Sequence, residues 1–231
     1  MKGIVLFSDF LNLNEQNIYH SIERELYTTA ELSGGYEQAE RQLVAFLPDA
    51  LSYEWEYPIQ CLEIQPAYPK FAESLNHRDI LGALMSLGIE RKLLGDILCS
   101  GSTYYLFCEE RITSVIMEQL QQIRHTVVRI APLENAESLH FEPQYEVIED
   151  MVASNRLDAI IAKAYGFSRS EAAQILIEDK VFVNGKCISN CNYSCGSGDI
   201  VSVRGKGRFL FETNQTLSKK GKLRVVFKKF K

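Results

Sequence analysis

The sequence predicts an α+β protein built from three successive segments. These are an N-terminal α/β region, a central α/β plait, and a C-terminal pair of short helices on a small bent sheet. Helically spaced apolar residues alternate along the chain with short strand-like runs, and glycine or proline separates many of them. A length of 231 residues suits two to three small domains. We predict boundaries at 1–72, 73–133 and 151–231, with residues 134–150 as an acidic connector.

An amphipathic helix and two strands account for the N-terminal region. Asn14 is a suitable helix cap, and Ile18 and Ile22 follow it at helical spacing. The runs at 43–48 and 58–64 are apolar and bounded by proline, which is typical of strands.

The central segment has the order of elements expected for a small plait. Asn76 can cap a helix that ends at Gly88. Two short strands, a helix over residues 112–123 and a strand at 126–130 follow.

The C-terminal segment carries the strongest local signals. A capped helix is predicted to begin at Asn155. Ser168 and Glu171 have the spacing of a capping box, which predicts the start of a second helix. Asn184-Gly185, between alternating apolar residues, predicts a tight β-hairpin.

Charge divides the chain more sharply than its net value of −5 indicates. Residues 151–231 contain 15 Lys and Arg against 6 Asp and Glu, a net charge of +9. Residues 1–150 contain the other 10 basic and 24 acidic residues, a net charge of −14. A surplus of this size favours a polyanionic partner for the C-terminal segment over a merely solvated surface.

The sequence also predicts a cytoplasmic protein with reduced thiols and no membrane partner. No apolar run approaches the roughly 18 residues that span a bilayer. The N-terminus has one Lys and a short apolar run before Asp9, without the pattern of a signal peptide.

Cations, hydroxyl groups and hairpin residues of the C-terminal segment form a predicted basic surface. The first turn of the second helix offers backbone N–H groups and two serine hydroxyls, which suit a phosphate. The candidate contact residues are Arg156, Lys163, Ser168, Arg169, Ser170, Lys180, Asn184, Lys186, Arg204, Lys206 and Arg208.

Four motifs in order resemble the S4 RNA-binding domain. They are Arg156–Asp158 (R-L-D), Ser168–Ala172 (S-R-S-E-A), Lys180–Lys186 (K-V-F-V-N-G-K) and Gly198–Val203 (G-D-I-V-S-V). The resemblance implies an αL-type fold, two helices against a small sheet, which binds structured RNA through its shape and phosphates.

Motifs along nearly the whole chain resemble the YlmH family of bacterial S4-domain proteins. They are Gly34–Arg41 (G-G-Y-E-Q-A-E-R), His77–Leu84 (H-R-D-I-L-G-A-L), Leu87–Arg91 (L-G-I-E-R), Gly95–Leu98 (G-D-I-L), Ser202–Phe209 (S-V-R-G-K-G-R-F) and Lys219–Val225 (K-K-G-K-L-R-V). The resemblance implies an RRM-like central plait ahead of the S4 domain. It also implies rRNA of the large ribosomal subunit and tRNA as partners, and a role in rescue of stalled ribosomes.

Three of the six cysteines, Cys187, Cys191 and Cys195, are spaced four residues apart. One interpretation is a metal site, and the other is a set of free thiols in a small sheet. Structural zinc takes four ligands and favours Cys-x2-Cys spacing. The spacing here therefore favours buried or half-buried free thiols, with no metal or other cofactor.

No motif predicts an enzyme. The phosphate-binding loop, G-x-S-x-G and H-E-x-x-H are all absent from the sequence. His77-Arg78-Asp79 resembles a kinase catalytic loop, but position 84 is Leu where that loop needs Asn. We therefore predict a non-enzymatic RNA-binding protein without a small-molecule substrate. The alternatives are an RNA-modifying enzyme similar to pseudouridine synthases and a protein-interaction adaptor in cell division.

Overall fold

The computed structural model describes residues 3–37, 39–49, 53–134, 145–217 and 221–230. Helices and antiparallel sheets are both present, so the predicted α+β class is confirmed.

The chain divides into two compact units. The first comprises Met1–Asn12 and Ile18–Phe141, and the second comprises Leu13–Asn17 and Glu142–Lys231. Among the described residues, no helix has both the length and the apolarity to cross a bilayer.

A three-stranded antiparallel sheet opens the first unit. Its strands are β1 (Leu6–Phe7), β2 (Thr29–Ser33) and β3 (Leu43–Leu47), in the order β1-β3-β2. Helix α1 spans Leu13–Ile22 and is followed by a 3-10 turn at Glu23–Glu25; the first five residues of α1 belong to the second unit and the rest to the first.

A five-stranded antiparallel sheet forms the rest of this unit, in the order β5-β6-β4-β8-β7. The strands are β4 (Ile59–Pro66), β5 (Leu94–Ser100), β6 (Thr103–Glu109), β7 (Gln122–Ile123) and β8 (Thr126–Leu133). Helices α2 (His77–Ser86) and α3 (Thr113–Gln119) supply Ile80, Leu84 and Ile116 to its buried core. Asn76 caps α2 as predicted, since its side chain accepts from the backbone N of Arg78 and Asp79 at 2.9 and 3.2 Å.

Two sequence-based expectations for this unit differ from the observed structure. The predicted boundary after residue 72 assigns β4 to the N-terminal region, whereas β4 lies between β6 and β8 of the central sheet. The predicted helix over residues 112–123 ends at Gln119, and Gln122–Ile123 pairs with β8 instead. Ile123 is fully buried in its strand, so its apolar side chain has a core environment without any helix.

The side chain of Asp96 connects the loop after β2 to the central sheet. It accepts hydrogen bonds from the Tyr36 hydroxyl at 2.8 Å and from the backbone N of Glu40 and Arg41 at 2.6 and 3.2 Å. Burial raises the pKa of Asp96, and the hydrogen bonds from Glu40 and Tyr36 oppose this rise. Tyr36 also stacks on Phe107, with 4.8 Å between ring centroids.

The residues around Asp96 leave little free space. The guanidinium group of Arg41 donates to the backbone O of Phe10 and Leu94 at 2.6 and 2.9 Å. Gly35 has a φ of 89°, and a Cβ atom there would lie 2.8 Å from the Phe107 ring. The Gly34–Arg41 motif therefore has a structural role in joining this loop to the sheet.

The second unit is a six-stranded antiparallel sheet with two helices packed on its inner face. The strand order is β11-β10-β12-β13-β14-β9. The elements are β9 (Tyr145–Val152), α4 (Leu157–Tyr165), α5 (Arg169–Ile177), β10 (Val181–Val183), β11 (Lys186–Cys187), β12 (Ile200–Val203), β13 (Gly207–Leu217) and β14 (Leu223–Phe230). Phe209, Phe211 and Phe227 are fully buried between the sheet and helix residues such as Ile160 and Leu176.

The predicted hairpin at Asn184-Gly185 is present. Both residues have positive φ values, 48° and 78°, as a type I′ turn requires. The Asn184 side chain accepts from the Ile200 backbone N and donates to the Asp199 carboxylate, both at 2.9 Å. The side chain of Asn184, a predicted RNA-contact residue, therefore forms hydrogen bonds that stabilise the turn.

The start of this unit also differs from expectation. Part of the predicted connector, residues 135–144, lies outside the described residues. Its last residues, Tyr145–Asp150, pair with β14 along the sheet. Helix α4 begins with Arg156, not Asn155, as its N-cap. The Asn155 side chain instead donates to the backbone O of Cys195 at 3.0 Å.

Candidate nucleic-acid interface

Five cations of the second unit each lie over an aromatic ring. We call these ten residues the cation–aromatic belt. The distances to the ring centroids are 5.3 Å for Arg204 over Phe182, 5.5 Å for Lys206 over Phe167, 4.4 Å for Arg208 over Phe230, 5.9 Å for Lys228 over Tyr145 and 5.2 Å for Lys229 over Tyr165. Such pairs occur about once per 70–80 residues in proteins generally, so five in one unit is a marked concentration.

The strand register brings the belt together. Tyr145 pairs with Phe230 across β9 and β14, and their rings are 5.1 Å apart. Arg208 pairs with Ser202, and Ser202 pairs with Phe182 on β10. Residues paired in this way lie on one face of the sheet, about 5 Å from strand to strand. A row of aromatic and cationic side chains from Phe182 to Tyr145 therefore crosses the outer face. Lys229 pairs with the buried Phe209, so it lies with Tyr165 on the helix side of the sheet.

The end of α4 extends the belt beyond the sheet. The Tyr165 hydroxyl donates to the backbone O of Gly207 at 2.9 Å, and its ring stacks on Phe167 at 5.6 Å. This contact holds the α4 terminus against the turn between β12 and β13. Gly205 and Gly207 of that turn have φ values of 82° and 97°, a conformation in which glycine avoids steric strain. The turn thus alternates glycine with the three cations Arg204, Lys206 and Arg208.

A basic cleft of about 550 Å³ lies between α4, the start of α5 and β9. Lys163, Arg169 and Lys222 line it, together with Asp150. The Lys163 ammonium lies 3.0 Å from the Asp150 carboxylate. Burial alone would raise the pKa of Asp150, but hydrogen bonds from the Met151 backbone N and from Lys163 lower it overall. Three cations against one carboxylate make this cleft suitable for an anion.

The predicted capping box of α5 is confirmed, and it changes the expected phosphate site. Ser168 Oγ accepts from the Glu171 backbone N at 3.2 Å, and Glu171 Oε2 accepts from the Ser168 backbone N at 2.7 Å. These hydrogen bonds lower the pKa of Glu171. A carboxylate therefore already lies at this helix terminus, and Ser168 Oγ is also 3.0 Å from Ser170 Oγ. Arg169 is left to contact a phosphate mainly through its guanidinium group.

Several predicted contact residues have partners within the protein. Arg156 forms two hydrogen bonds of 3.0 Å with the buried Asp158 carboxylate. Lys180 lies 2.6 Å from Glu178. Lys186 is exposed on β11.

The structure separates the predicted contact residues of the β12–β13 turn from those of the β10–β11 hairpin. The Asn184 backbone N bonds to Ile200 at one end of β12, and the Arg204 backbone N bonds to Lys180 at the other. Arg204 lies four positions after Ile200 along the strand, about 13 Å away. Arg204, Lys206 and Arg208 lie in the belt, whereas Asn184 and Lys186 lie at the far end of the strand.

Sequence reasoning missed the belt residues outside the Arg204–Arg208 turn. The missed cations are Lys228 and Lys229, and the missed rings are Tyr145, Tyr165, Phe167, Phe182 and Phe230. The only local sequence signal for these residues is the run F-K-K-F at residues 227–230, which places cations next to an aromatic residue.

The three closely spaced cysteines have different environments. Cys187 is exposed, Cys191 is half-buried and Cys195 is buried. The prediction of buried or half-buried thiols is therefore wrong for Cys187, which lies on the short edge strand β11. Within the described parts of the chain, no group of three or more His, Cys, Asp or Glu residues is arranged to hold a metal ion.

Changing Cys187, Cys191 and Cys195 together to alanine is expected to leave RNA affinity unchanged. The unfolding free energy should fall by about 1–2 kcal/mol, mostly from Cys195, whose side chain packs in the core. Burial raises the pKa of Cys195 to about 12, so alkylation of the native protein should modify Cys187 first. Stoichiometric zinc or iron in anaerobically purified wild type, absent from the triple variant, would contradict the free-thiol interpretation.

Comparisons with known proteins agree with this architecture. The profile of a family described as "Putative RNA-binding domain in YlmH" matches residues 53–137, and the S4 domain profile matches residues 155–201. The chain is 40% identical over 52 residues to small ribosomal subunit protein uS4 of Lachnoclostridium phytofermentans, which is 22% of this chain and 26% of that protein. The helix pair, the bent sheet and these matches define an S4-domain protein.

A relative that matches nearly the whole chain is more specific. The chain is 30% identical over 225 residues to ribosome-associated protein quality control protein P2 of Bacillus subtilis, which is 97% of this chain and 87% of that protein. It belongs to the YlmH family, as its motifs predicted. A solved structure of cell division protein ylmH from Streptococcus pneumoniae shares the fold, with a TM-score of 0.50 and 23% identity over 60% of this chain and 84% of that one.

Proposed function

We propose that this chain is a non-enzymatic RNA-binding protein that associates with the ribosome. Its partners are rRNA of the large subunit and tRNA, and it acts in rescue of stalled ribosomes in the cytoplasm. The cation–aromatic belt on the S4 unit is the observation that carries this proposal. The name of the B. subtilis relative, which refers to ribosome association and quality control, supports it.

The chemistry of the belt suits RNA in two ways. Its cations provide favourable electrostatic interactions with phosphates, and these interactions weaken as salt concentration rises. Lys228 contributes less than the others because the Glu212 carboxylate lies 2.7 Å from its ammonium. The two guanidinium groups of the belt provide planar surfaces on which bases pack. The cleft lined by Lys163, Arg169 and Lys222 adds an anion site on the helix side of the same unit.

Sedimentation of the full chain with purified ribosomal subunits tests the proposal. We expect co-sedimentation with the large subunit, loss of it after nuclease treatment, and progressive weakening across a salt series. Association that survives both nuclease and high salt would contradict RNA binding and would favour the protein-adaptor alternative. Association with only the small subunit would contradict the proposed partner.

Arg169→Ala is expected to weaken association with the large subunit without unfolding the protein. Arg169 is exposed, and among the described residues it has no ion pair, so its removal should barely change the melting temperature. Losing one charge-assisted phosphate contact should weaken binding by about 1–3 kcal/mol. A salt-dependent affinity series of wild type and variant measures this difference.

Ser168→Ala is the matched control one residue away. It removes the cap of α5 and should lower the unfolding free energy by about 1 kcal/mol, with little effect on affinity. Equal affinities of Arg169→Ala and wild type at every salt concentration would exclude the start of α5 from the interface.

A further inference from the structure

The turn between β4 and α2 exposes two aromatic side chains. Phe71 is 87% exposed and Tyr68 is 61% exposed. Pro69 occupies the first position of this 3-10 turn, and the Phe71 backbone N donates to the Tyr68 backbone O at 3.0 Å. The Ala67 backbone N also donates to Val127 of β8 at 2.8 Å. Pro69 and the hydrogen bond from Ala67 to β8 therefore restrict the backbone of the turn that exposes the two rings.

Two exposed cations, Lys70 and Arg129, lie near this turn, although residues 1–150 as a whole are acidic. Lys70 lies between the two rings in sequence and is exposed. Arg129 pairs with Gln65 on the neighbouring strand and lies on the exposed side of β8, where Val127 is also 45% exposed. Arg124 in the adjacent β7–β8 turn is paired with two carboxylates, Asp79 at 3.0 Å and Glu73 at 4.0 Å.

The charges of this patch favour an anionic partner. The charge of Arg124 is balanced by Glu73 and Asp79, whereas Lys70 and Arg129 are exposed and have no ion pair among the described residues. Exposed aromatic rings with adjacent cations are the side chains that bind single-stranded nucleic acid, because every base has a face that stacks and every phosphate carries a charge. An apolar protein partner would use the rings but not the cations.

We propose that Tyr68, Lys70, Phe71 and Arg129 form a second RNA-binding site that takes unpaired nucleotides. Bases stack on Tyr68 and Phe71, and the flanking phosphates contact Lys70 and Arg129. This site rests on the proposed RNA-binding function and specifies the kind of RNA that the central domain binds. It differs from the belt, where each ring already lies beneath a cation, since here the ring faces are open to a base.

The test compares the full-length Tyr68→Ala/Phe71→Ala double variant with wild type. The probes are a fluorescein-labelled 12-nucleotide oligouridylate and an RNA duplex of the same length, with binding followed by fluorescence anisotropy. We expect the variant to bind the single strand about tenfold more weakly and the duplex within about twofold of wild type. Both side chains are exposed, so the thermal melting curve should not shift.

Tyr27→Ala is the matched control, because Tyr27 is a fully exposed aromatic residue of the same unit outside the patch. Its affinities should equal those of wild type. A single-strand affinity of the double variant within twofold of wild type overturns the proposal, as does an equal loss for single strand and duplex. Unchanged RNA binding with reduced sedimentation on ribosomes would also overturn it, in favour of a protein partner. Loss of large-subunit binding in belt variants tests the proposed function separately.

Discussion

Replacing Asp96 with alanine is expected to lower the free energy of unfolding of the first unit by about 3–5 kcal/mol. The substitution removes the acceptor of three hydrogen bonds, from the Tyr36 hydroxyl and the backbone N of Glu40 and Arg41. Donors left unsatisfied in a partly buried site cost about 1–3 kcal/mol each, and part of this cost is recovered by local relaxation. Trp55 is the single tryptophan and lies in this unit, so its fluorescence during urea unfolding measures the change.

Two further variants separate the hydrogen bonds from the charge. Asp96→Asn keeps one acceptor oxygen but presents an NH₂ group to the other donors. Its free energy of unfolding should therefore lie between those of wild type and Asp96→Ala. Glu110→Ala removes an exposed carboxylate from the same unit and should change stability by less than about 0.5 kcal/mol. Similar stabilities of Asp96→Ala and Glu110→Ala would show that the loop is not held by Asp96.

The double variant Lys206→Gln/Arg208→Gln is expected to weaken large-subunit binding about 100-fold at moderate salt. This corresponds to two lost charged contacts of about 1.4 kcal/mol each. The slope of log affinity against log salt should become shallower by about 2, because two fewer phosphates are neutralised. Stability should fall by about 1–2 kcal/mol, the contribution of two cation–aromatic pairs of which Arg208–Phe230 is half-buried.

Arg24→Gln/Lys92→Gln is the control for total charge. It makes the same change in net charge on exposed residues of the other unit, so its affinity should stay within about threefold of wild type. Equal losses in the two double variants would mean that net charge, and not the belt, determines binding.

Local signals in the sequence predicted local structure well. The Asn76 cap, the capping box of α5 and the Asn184-Gly185 turn depend on residues no more than three apart, so the sequence contains all the information that they require. The family motifs likewise lie in contiguous stretches, which is why the YlmH family could be recognised. The cations Arg204, Lys206 and Arg208 were predicted because a single turn contains all three.

Features that depend on strand pairing were not predictable in this way. The membership of β4 in the central sheet is set by its pairing with β6 and β8, which lie more than 30 residues away. The belt depends on the register that places Tyr145 beside Phe230 and Phe182 beside Ser202. The hydrogen bonds that occupy Arg156 and Asn184 also became visible only from the structure, and the predicted contact set as a whole stays a prediction.

The position of β9 has a consequence for any shortened form of this protein. All eight residues of β9 pair with β14, and β9 lies upstream of the S4 profile. Six of the eight, Tyr145–Asp150, lie upstream of the predicted boundary at residue 151. A fragment that begins at residue 151 would expose unpaired N–H and C=O groups of β14, in which five of the eight side chains are apolar. Open strand edges of this kind pair with other chains, so such a fragment should self-associate, whereas one that begins before Tyr145 should remain monomeric.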